Sequence, residues 1–313
     1  MSVKPSIISH SEVDSFLSCE RKHYYSFGYP TVSIANETEN GLEPTFLSNG
    51  LFRGIMGHEV LEHYYKWLAP ISLLQPPSDL DFAQAAESAL AILPPYILAN
   101  PDRMNLILDL RAICEAYFKH YREIDKQYQF IAVEVEFRQV IDETIEFPFK
   151  PDLIRRHRVT MKVEVVDHKF LANLYTAREI AIQPQMAKYV GSLRDLGYDV
   201  DDAVYDLICH RVLKTKPIDP EISFKRTNLH LTKARISQSQ WEQNSVVRTI
   251  AKLKFSPSIW SNEVRRSATS YNCKNCSFLD LCVSELNGEN IDVAVKTYFI
   301  PNSYGYDKKE ASK

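Results

Sequence analysis

The chain of 313 residues is 45% hydrophobic and 25% charged, a balance that excludes a low-complexity, collagen-like or disordered protein. A chain of this length can bury a sizeable core in one large domain or two modest ones. The formal net charge of −3 excludes nucleic-acid binding through overall charge, so any such binding must rest on local basic patches.

The first part of the chain is predicted to be helical. Apolar residues recur there at helical spacing, and N-cap residues precede the first run. The predicted helices lie at 9–27, 53–68, 80–92 and 103–125.

The middle of the chain changes to β-structure. Three β-rich runs joined by short charged turns, at 130–140, 144–154 and 158–170, predict a three-stranded antiparallel meander. A predicted helix at 176–196 and a β-like run at 202–213 follow. This order predicts an α/β fold in which helices flank a mixed-sheet core.

The strand EVVDHKF, residues 164–170, ends an apolar run with charged side chains. Because side chains alternate along a strand, Asp167 and Lys169 share one face. The preceding hairpin is expected to bring Asp152 beside Asp167, and two such carboxylates repel unless a cation lies between them. Oxygen ligands of this kind suit Mg²⁺ or Mn²⁺, and with the lysine they fit phosphodiester hydrolysis. The alternative interpretation is a surface ion pair at a strand end.

The cysteine spacing indicates a metal centre. Cys273, Cys276 and Cys282 form a C-x₂-C-x₅-C pattern near the C-terminus, and Cys19 is the candidate for a fourth ligand. Four thiolates accept either a structural Zn²⁺ ion or a [4Fe–4S] cluster, so the residues alone leave both open.

These motifs together resemble those of the PD-(D/E)XK nuclease superfamily. Pro151-Asp152, fourteen residues and then Asp167-His168-Lys169 follow the order of its motif. GHEVLE at 57–62 and the Q-x-x-x-Y spacing of 185–189 are similar to two helical motifs of its RecB-like branch. Asp167 stands where glutamate is commoner in the superfamily.

The resemblance implies which residues bind metal and which act in catalysis. The implied ligands of Mg²⁺ or Mn²⁺ are His58, Asp152, Asp167 and His168, the last through its backbone carbonyl. The implied catalytic residues are Asp152, Asp167 and Lys169, with the lysine assisting the attack of water.

The resemblance also implies DNA contacts. Gln185 and Tyr189 would position a DNA strand near the metal. Arg155, Arg156 and the basic stretch at 211–235 are further candidates for phosphate contacts.

The cysteine pattern is similar to that of iron–sulfur RecB-like nucleases, which carry their first cysteine near the N-terminus. This resemblance implies a [4Fe–4S] cluster bound by Cys19, Cys273, Cys276 and Cys282. Such a cluster would join the two chain ends in a four-cysteine iron–sulfur subdomain and would have a structural role.

The implied organisation is a single nuclease domain over 1–313 with a restriction-endonuclease-like core. Its predicted parts are a core at 50–213 with a helical insertion at 70–125, an iron–sulfur subdomain at 1–30 and 261–290, an accessory region at 214–260, and a disordered tail at 302–313.

The implied function is that of a metal-dependent DNA exonuclease acting on single-stranded or frayed ends in recombination, repair or replication. The resemblance is to CRISPR-associated RecB-like exonucleases, the AddB nuclease domain and stand-alone viral relatives. One alternative is an end-trimming nuclease of a CRISPR adaptation complex. Another is a non-catalytic iron–sulfur subunit that binds DNA within an assembly.

Partners and location follow from motifs that the sequence lacks. It contains no GxxxxGK[ST] motif, so duplex unwinding would require a helicase or recombination partner. It shows no run of roughly 18 apolar residues and no signal peptide. We therefore expect no membrane partner and a cytoplasmic location, in the host cell if the protein is viral.

Overall fold

The computed structural model describes residues 6–32, 38–45, 47–210, 217–254, 264–274 and 276–302. The chain forms two compact units. The first unit consists of Met1–Leu47, Arg138–Phe149 and Trp241–Lys313, and the second consists of Ser48–Phe137 and Lys150–Gln240. The predicted iron–sulfur subdomain falls within the first unit, and the predicted metal ligands fall within the second.

Helices occur in both units. In chain order they are α1 (His10–Ser18), α2 (Glu20–His23), α3 (Asn49–Leu74), α4 (Asp79–Leu90), α5 (Leu93–Ala99), α6 (Met104–Asp125), α7 (Ala177–Ile182), α8 (Gln185–Asp195), α9 (Pro220–Ser223), α10 (Lys233–Lys254), α11 (Ser270–Lys274), α12 (Leu279–Leu286) and α13 (Asp292–Tyr298).

The strands are mostly short. In chain order they are β1 (Ser6–Ile7), β2 (Pro30–Val32), β3 (Thr38–Asn40), β4 (Leu42–Pro44), β5 (Tyr128–Val133), β6 (Phe137–Asp142), β7 (Ile145–Phe149), β8 (Leu153–His157), β9 (Val163–Leu171), β10 (Asp202–Cys209), β11 (Phe224–Leu229) and β12 (Phe299–Pro301).

A five-stranded sheet in the order β11-β10-β9-β8-β5 forms the centre of the second unit. The central strand β9 runs parallel to β10 and antiparallel to β8. On one face of the sheet, Tyr65 of α3 contacts Phe130 and stacks on His168. On the other face, Gln185 of α8 contacts Asp167. The predicted α/β fold, a mixed sheet flanked by helices, is confirmed.

The predicted three-stranded meander is wrong, because five strands occupy this stretch and belong to two sheets. β6 and β7 form a sheet with β1, whereas β5, β8 and β9 lie in the central sheet. Glu134 has a φ of 52°, a left-handed conformation in which β5 cannot continue. Pro151, between β7 and β8, has no N–H group to donate to a sheet.

Two predicted helices are interrupted. The helix predicted at 9–27 breaks at Cys19, which is extended with a φ of −168° and a ψ of 116°. The helix predicted at 176–196 breaks at Gln183, which is extended because Pro184 disfavours a helical conformation in the preceding residue. The helices predicted at 53–68, 80–92 and 103–125 are confirmed with shifted ends.

The region at 214–260, predicted as accessory, contributes directly to the core. β11 lies within it and pairs with β10 along the edge of the central sheet, and both Phe224 and Leu229 are buried. Residues 211–213 of the predicted β-like run and residues 303–313 of the predicted tail lie outside the described residues.

Among the described residues, Asp79–Ala99 is long and apolar enough to cross a membrane by length and composition alone. This stretch consists of α4 and α5, and Phe82, Ala85 and Ala89 of α4 are buried within the protein. The core helix of a soluble protein meets the same criteria, so the finding is weak evidence for a membrane span.

Candidate active site

Asp152 is held against strand β9. It lies just before β8, which pairs with β9 through Leu153 and Val166. The backbone N–H of His168 donates to Asp152 Oδ2 at 2.7 Å, so the carboxylate lies beside the Asp167-His168-Lys169 triplet. The predicted approach of Asp152 to this triplet is therefore observed.

Asp167 and Lys169 form an ion pair on the α8 face of the sheet. Lys169 Nζ lies 2.8 Å from Asp167 Oδ2, and the Asp167 side chain is only 3% exposed. This burial is inconsistent with the alternative of a surface ion pair. The spacing of two residues along the strand brings both groups to one place, as the alternation of side chains requires.

His58 reaches the same place from helix α3. Its Nδ1 atom lies 3.4 Å from Asp152 Oδ2. The preceding residue, Gly57, lets the helix come close to β9, because a Cβ atom there would lie 2.5 Å from the ring of Phe170. The missing side chain at Gly57 therefore permits the close approach of α3, which carries His58, to β9.

Glu134, which the sequence interpretation missed, completes a group of side chains that could hold a metal ion. Ligand atoms of His58, Glu134 and Asp152 all lie within 4.8 Å of one another. The Glu134 N–H donates to the Asp152 carbonyl at 2.9 Å, where its positive φ ends β5. Two carboxylates and an imidazole provide oxygen and nitrogen ligands that fit Mn²⁺ or Mg²⁺.

The pKa shifts at these residues are those expected where several carboxylates lie close together and can bind a cation. Burial acts to lower the pKa of His58, but the Asp152 carboxylate outweighs it and raises this pKa to about 9. The Asp152 pKa is lowered, because the attraction of His58 exceeds the opposing effect of burial. Burial and the neighbouring Asp152 charge raise the pKa values of Asp167 and Glu134. A bound cation would relieve this repulsion between carboxylates.

Gln185 and Tyr189 lie together on α8, as their spacing of four residues predicts. The Gln185 amide donates to Asp167 Oδ1 at 2.9 Å and accepts from Lys169 Nζ at 2.8 Å. It also donates to the Tyr189 hydroxyl at 3.1 Å. These contacts orient the Asp167–Lys169 pair, while a role of the two residues in positioning DNA stays a prediction.

His168 presents its backbone to the site and its side chain to the opposite face. The imidazole Nδ1 lies 3.2 Å from Asp206 Oδ2, and Arg226 Nε donates to that same oxygen at 3.1 Å. Its ring stacks on Tyr65, with the centroids 5.5 Å apart. Metal binding through the His168 carbonyl stays a prediction, while the side chain serves the core.

The prediction that Arg155 contacts a nucleic-acid phosphate is wrong. Its side chain is 3% exposed and pairs with Glu164 at 2.9 Å. The guanidinium also lies 3.9 Å from the centroid of the Tyr128 ring. Arg156, the next residue in β8, is partly exposed and stays a candidate.

The four predicted cluster ligands line one cavity of the first unit. Cys19, Cys273, Cys276 and Cys282 surround a volume of about 350 Å³. The Ser267 N–H donates to Cys19 Sγ at 3.4 Å. Arg266 Nε donates in the same way to Cys282 Sγ, at 3.3 Å.

Comparison with known proteins places the chain in a family. Residues 7–283 match the model of the PD-(D/E)XK nuclease superfamily, and the chain belongs to this superfamily. Its members are nucleases that use divalent metals. The solved structure titled "Crystal structure of SSO0001" is similar with 17% identity and a TM-score of 0.32, over 62% of this chain and 74% of that one. No curated protein matches the chain.

Proposed function

We propose that the protein is a Mg²⁺- or Mn²⁺-dependent DNA exonuclease. The observation that carries this proposal is the convergence of His58, Glu134 and Asp152 next to the buried Asp167–Lys169 pair. This is a set of metal ligands with a lysine beside it, as phosphodiester hydrolysis requires. The superfamily supports a nuclease, and the resemblance to its RecB-like branch supports action on single-stranded or frayed DNA ends.

Each residue has a part in this chemistry. His58, Glu134, Asp152 and Asp167 would hold a divalent cation, which would lower the pKa of a water molecule and neutralise phosphate charge. Lys169 is held by Asp167 and Gln185, so its ammonium is oriented to position that water or to stabilise the developing negative charge.

We further propose that the four cysteines bind a [4Fe–4S] cluster. The four cysteines line one cavity of about 350 Å³. N–H groups directed at two of the sulfurs, Cys19 Sγ and Cys282 Sγ, would stabilise thiolate ligands of such a cluster. The choice of a [4Fe–4S] cluster over a structural Zn²⁺ ion rests on the resemblance to iron–sulfur RecB-like nucleases.

The proposal includes partners and a location. Single-stranded DNA is the proposed substrate, and a separate helicase or recombination protein would supply unwinding. We also propose a cytoplasmic protein without a membrane partner. The complete set of metal ligands with Lys169 favours an enzyme over a non-catalytic assembly subunit, because a purely structural protein has no need to bury these mutually repelling charges together.

The test is digestion of end-labelled linear single-stranded DNA with Mn²⁺ or Mg²⁺. We expect Lys169→Met to slow digestion at least roughly 100-fold, because it removes a group that stabilises charge in the transition state. Lys162→Met is the matched control, since Lys162 is 57% exposed and lies 3.6 Å from Asp202 at the other end of β9. We expect this control variant to digest DNA like the wild type.

Circular single-stranded DNA separates exonuclease from endonuclease action, and we expect it to remain intact. Cleavage of the circle at the rate of the linear strand would overturn the exonuclease proposal. Undiminished digestion by Lys169→Met would refute the site itself.

A further inference from the structure

Lys150 is a second lysine at the candidate metal site, and the chemistry described above makes no use of it. It directly precedes Pro151-Asp152 in the chain. Its ammonium pairs with Glu134 Oε2, yet the Lys150 side chain remains 46% exposed whereas that of Glu134 is 8% exposed. Lys150 is therefore a solvent-exposed lysine that is paired with the buried carboxylate of Glu134, a candidate metal ligand.

The two oxygens of Glu134 face different partners. Oε1 lies 4.0 Å from His58 Nδ1, on the side of the metal-binding atoms, whereas Oε2 pairs with Lys150. A divalent cation bound by Glu134 would compete with the lysine for the same negative charge. The divalent cation would also repel the positively charged Lys150 ammonium. Metal binding would therefore weaken the ion pair between Glu134 and Lys150.

Lys169 is in a different situation. Its side chain is 26% exposed, and both Asp167 and Gln185 hold its ammonium. Of the two lysines, Lys150 is therefore the one whose ammonium can turn toward an incoming strand. Glu62 also attracts Lys150, but Glu62 is itself paired with Lys66.

The charges of these groups show what Lys150 contributes. With a divalent cation bound, His58 would be a neutral ligand, and the carboxylates of Glu134, Asp152 and Asp167 would balance all but one of the positive charges of the cation and the two lysines. The one remaining positive charge matches a single phosphodiester. Without Lys150, the metal-bound site would be neutral and would attract a phosphate less strongly.

We propose that Lys150 couples metal binding to nucleic-acid binding. Without metal it neutralises Glu134, and with metal bound it is released to contact a backbone phosphate of the substrate strand. The inference rests on the proposed function and assigns to Lys150 the recognition of a phosphate next to the metal.

The test compares the wild-type protein and Lys150→Met in two binding measurements. In calorimetry with Mn²⁺ alone, we expect the variant to bind the ion roughly two- to five-fold more tightly, since a half-exposed competing ion pair is gone. Binding of a short single strand is then followed by fluorescence anisotropy. Lys169→Met is present in both proteins of this second comparison so that digestion of the strand is slow on the timescale of the measurement.

With Mn²⁺ present, we expect Lys150→Met to bind the strand roughly five-fold more weakly, with a log–log salt slope smaller by about 0.7. With a chelator present, strand binding should change less than roughly two-fold, because Lys150 is then engaged by Glu134. Lys150→Arg keeps the charge and should keep the coupling, and Lys162→Met should behave like the wild type.

The outcomes are distinguishable. Weaker binding of both Mn²⁺ and DNA by Lys150→Met would show a merely structural lysine and overturn the inference. Equal weakening of DNA binding with and without metal would show an ordinary phosphate contact without coupling, which also overturns it. A wild-type protein that binds no Mn²⁺ would instead refute the proposed function itself.

Discussion

The protonation of His58 determines how tightly the site binds a metal ion at a given pH. The Asp152 carboxylate outweighs the effect of burial and raises the pKa of His58 to about 9, so the imidazole carries a proton at neutral pH in the metal-free protein. A metal ion binds only the neutral imidazole and must therefore displace this proton. The ion and the proton compete for one nitrogen atom.

We predict that Mn²⁺ affinity rises roughly tenfold per pH unit between pH 7 and about 9 and then levels off. Calorimetry in buffers with different ionisation enthalpies should show about one proton released per bound ion. His58→Gln serves as the control, because it should bind Mn²⁺ more weakly and lose this pH dependence. Equal wild-type affinities at pH 7 and pH 9 would contradict the prediction.

Some residues of the site follow from the sequence, and others do not. Asp152, Asp167 and Lys169 could be predicted because strand alternation and a short hairpin bring them together. Glu134 could not, because the run FIAVEVEF reads as one continuous strand. Its role depends on the left-handed backbone that ends β5 at this position, which the alternation of residues does not reveal.

At the scale of secondary-structure elements, β9 is fixed on both of its faces. On one face, Gln185 of α8 holds Asp167 and Lys169. On the other face, His168 contacts Asp206, whose carboxylate is bound by Arg226. A strand held in this way would keep Asp167, a candidate metal ligand, in place before a metal ion binds, which would reduce the free-energy cost of binding.

The contact between α3 and β9 gives a prediction for Gly57. A Cβ atom at Gly57 would lie 2.5 Å from the Phe170 ring, so Gly57→Ala must displace the ring or the helix that carries His58. We expect Gly57→Ala to weaken Mn²⁺ binding at least roughly tenfold, because it misplaces a ligand. Calorimetry on the folded variant measures this effect.

Gly54 provides the matched control, one turn earlier in α3. Among the described residues, no atom beyond its own stretch of α3 lies within 4 Å of a Cβ atom at Gly54, so Gly54→Ala should leave Mn²⁺ affinity unchanged. Because alanine favours a helix, it should also stabilise the protein by about 0.5–1 kcal/mol. Similar effects of the two substitutions on Mn²⁺ affinity would show that the close approach at Gly57 does not position His58.

The order of strands in the two sheets could not be predicted from the sequence. The runs at 130–140 and 144–154 are divided between two sheets by tertiary pairing, in which β7 joins β1 from the N-terminal segment. Strand β1 is more than a hundred residues away from β7 in the chain, so the local alternation of polar and apolar residues in β7 cannot reveal this pairing. The type of secondary structure was therefore predictable, and the sheet membership was not.

At the scale of the whole molecule, the first unit joins a segment near the N-terminus, around Tyr25, to a segment near the C-terminus, around Phe278 and Glu285. Tyr25 stacks on Phe278 with the centroids 5.6 Å apart, and the Tyr25 hydroxyl donates to Glu285 Oε2 at 2.6 Å. Arg21 Nε donates to the same oxygen at 2.9 Å. These aromatic and hydrogen-bonding contacts join the cysteine-bearing segments through the protein's own side chains, and the proposed cluster would add to this core.

This arrangement predicts a partial loss of stability when the proposed cluster is removed. If the wild-type protein binds the proposed [4Fe–4S] cluster, we expect Cys276→Ala to contain no iron and to show a Tm lower by about 10 °C, because several kcal/mol of ligand binding would no longer stabilise the folded state. Cys209→Ala is the control: Cys209 lies in the second unit and donates to the Ala172 carbonyl, so iron content should be unchanged. Because the aromatic core remains, Cys276→Ala should still fold at low temperature. An iron-free Cys276→Ala protein with a wild-type Tm would show that the cysteines do not contribute a stabilising cluster.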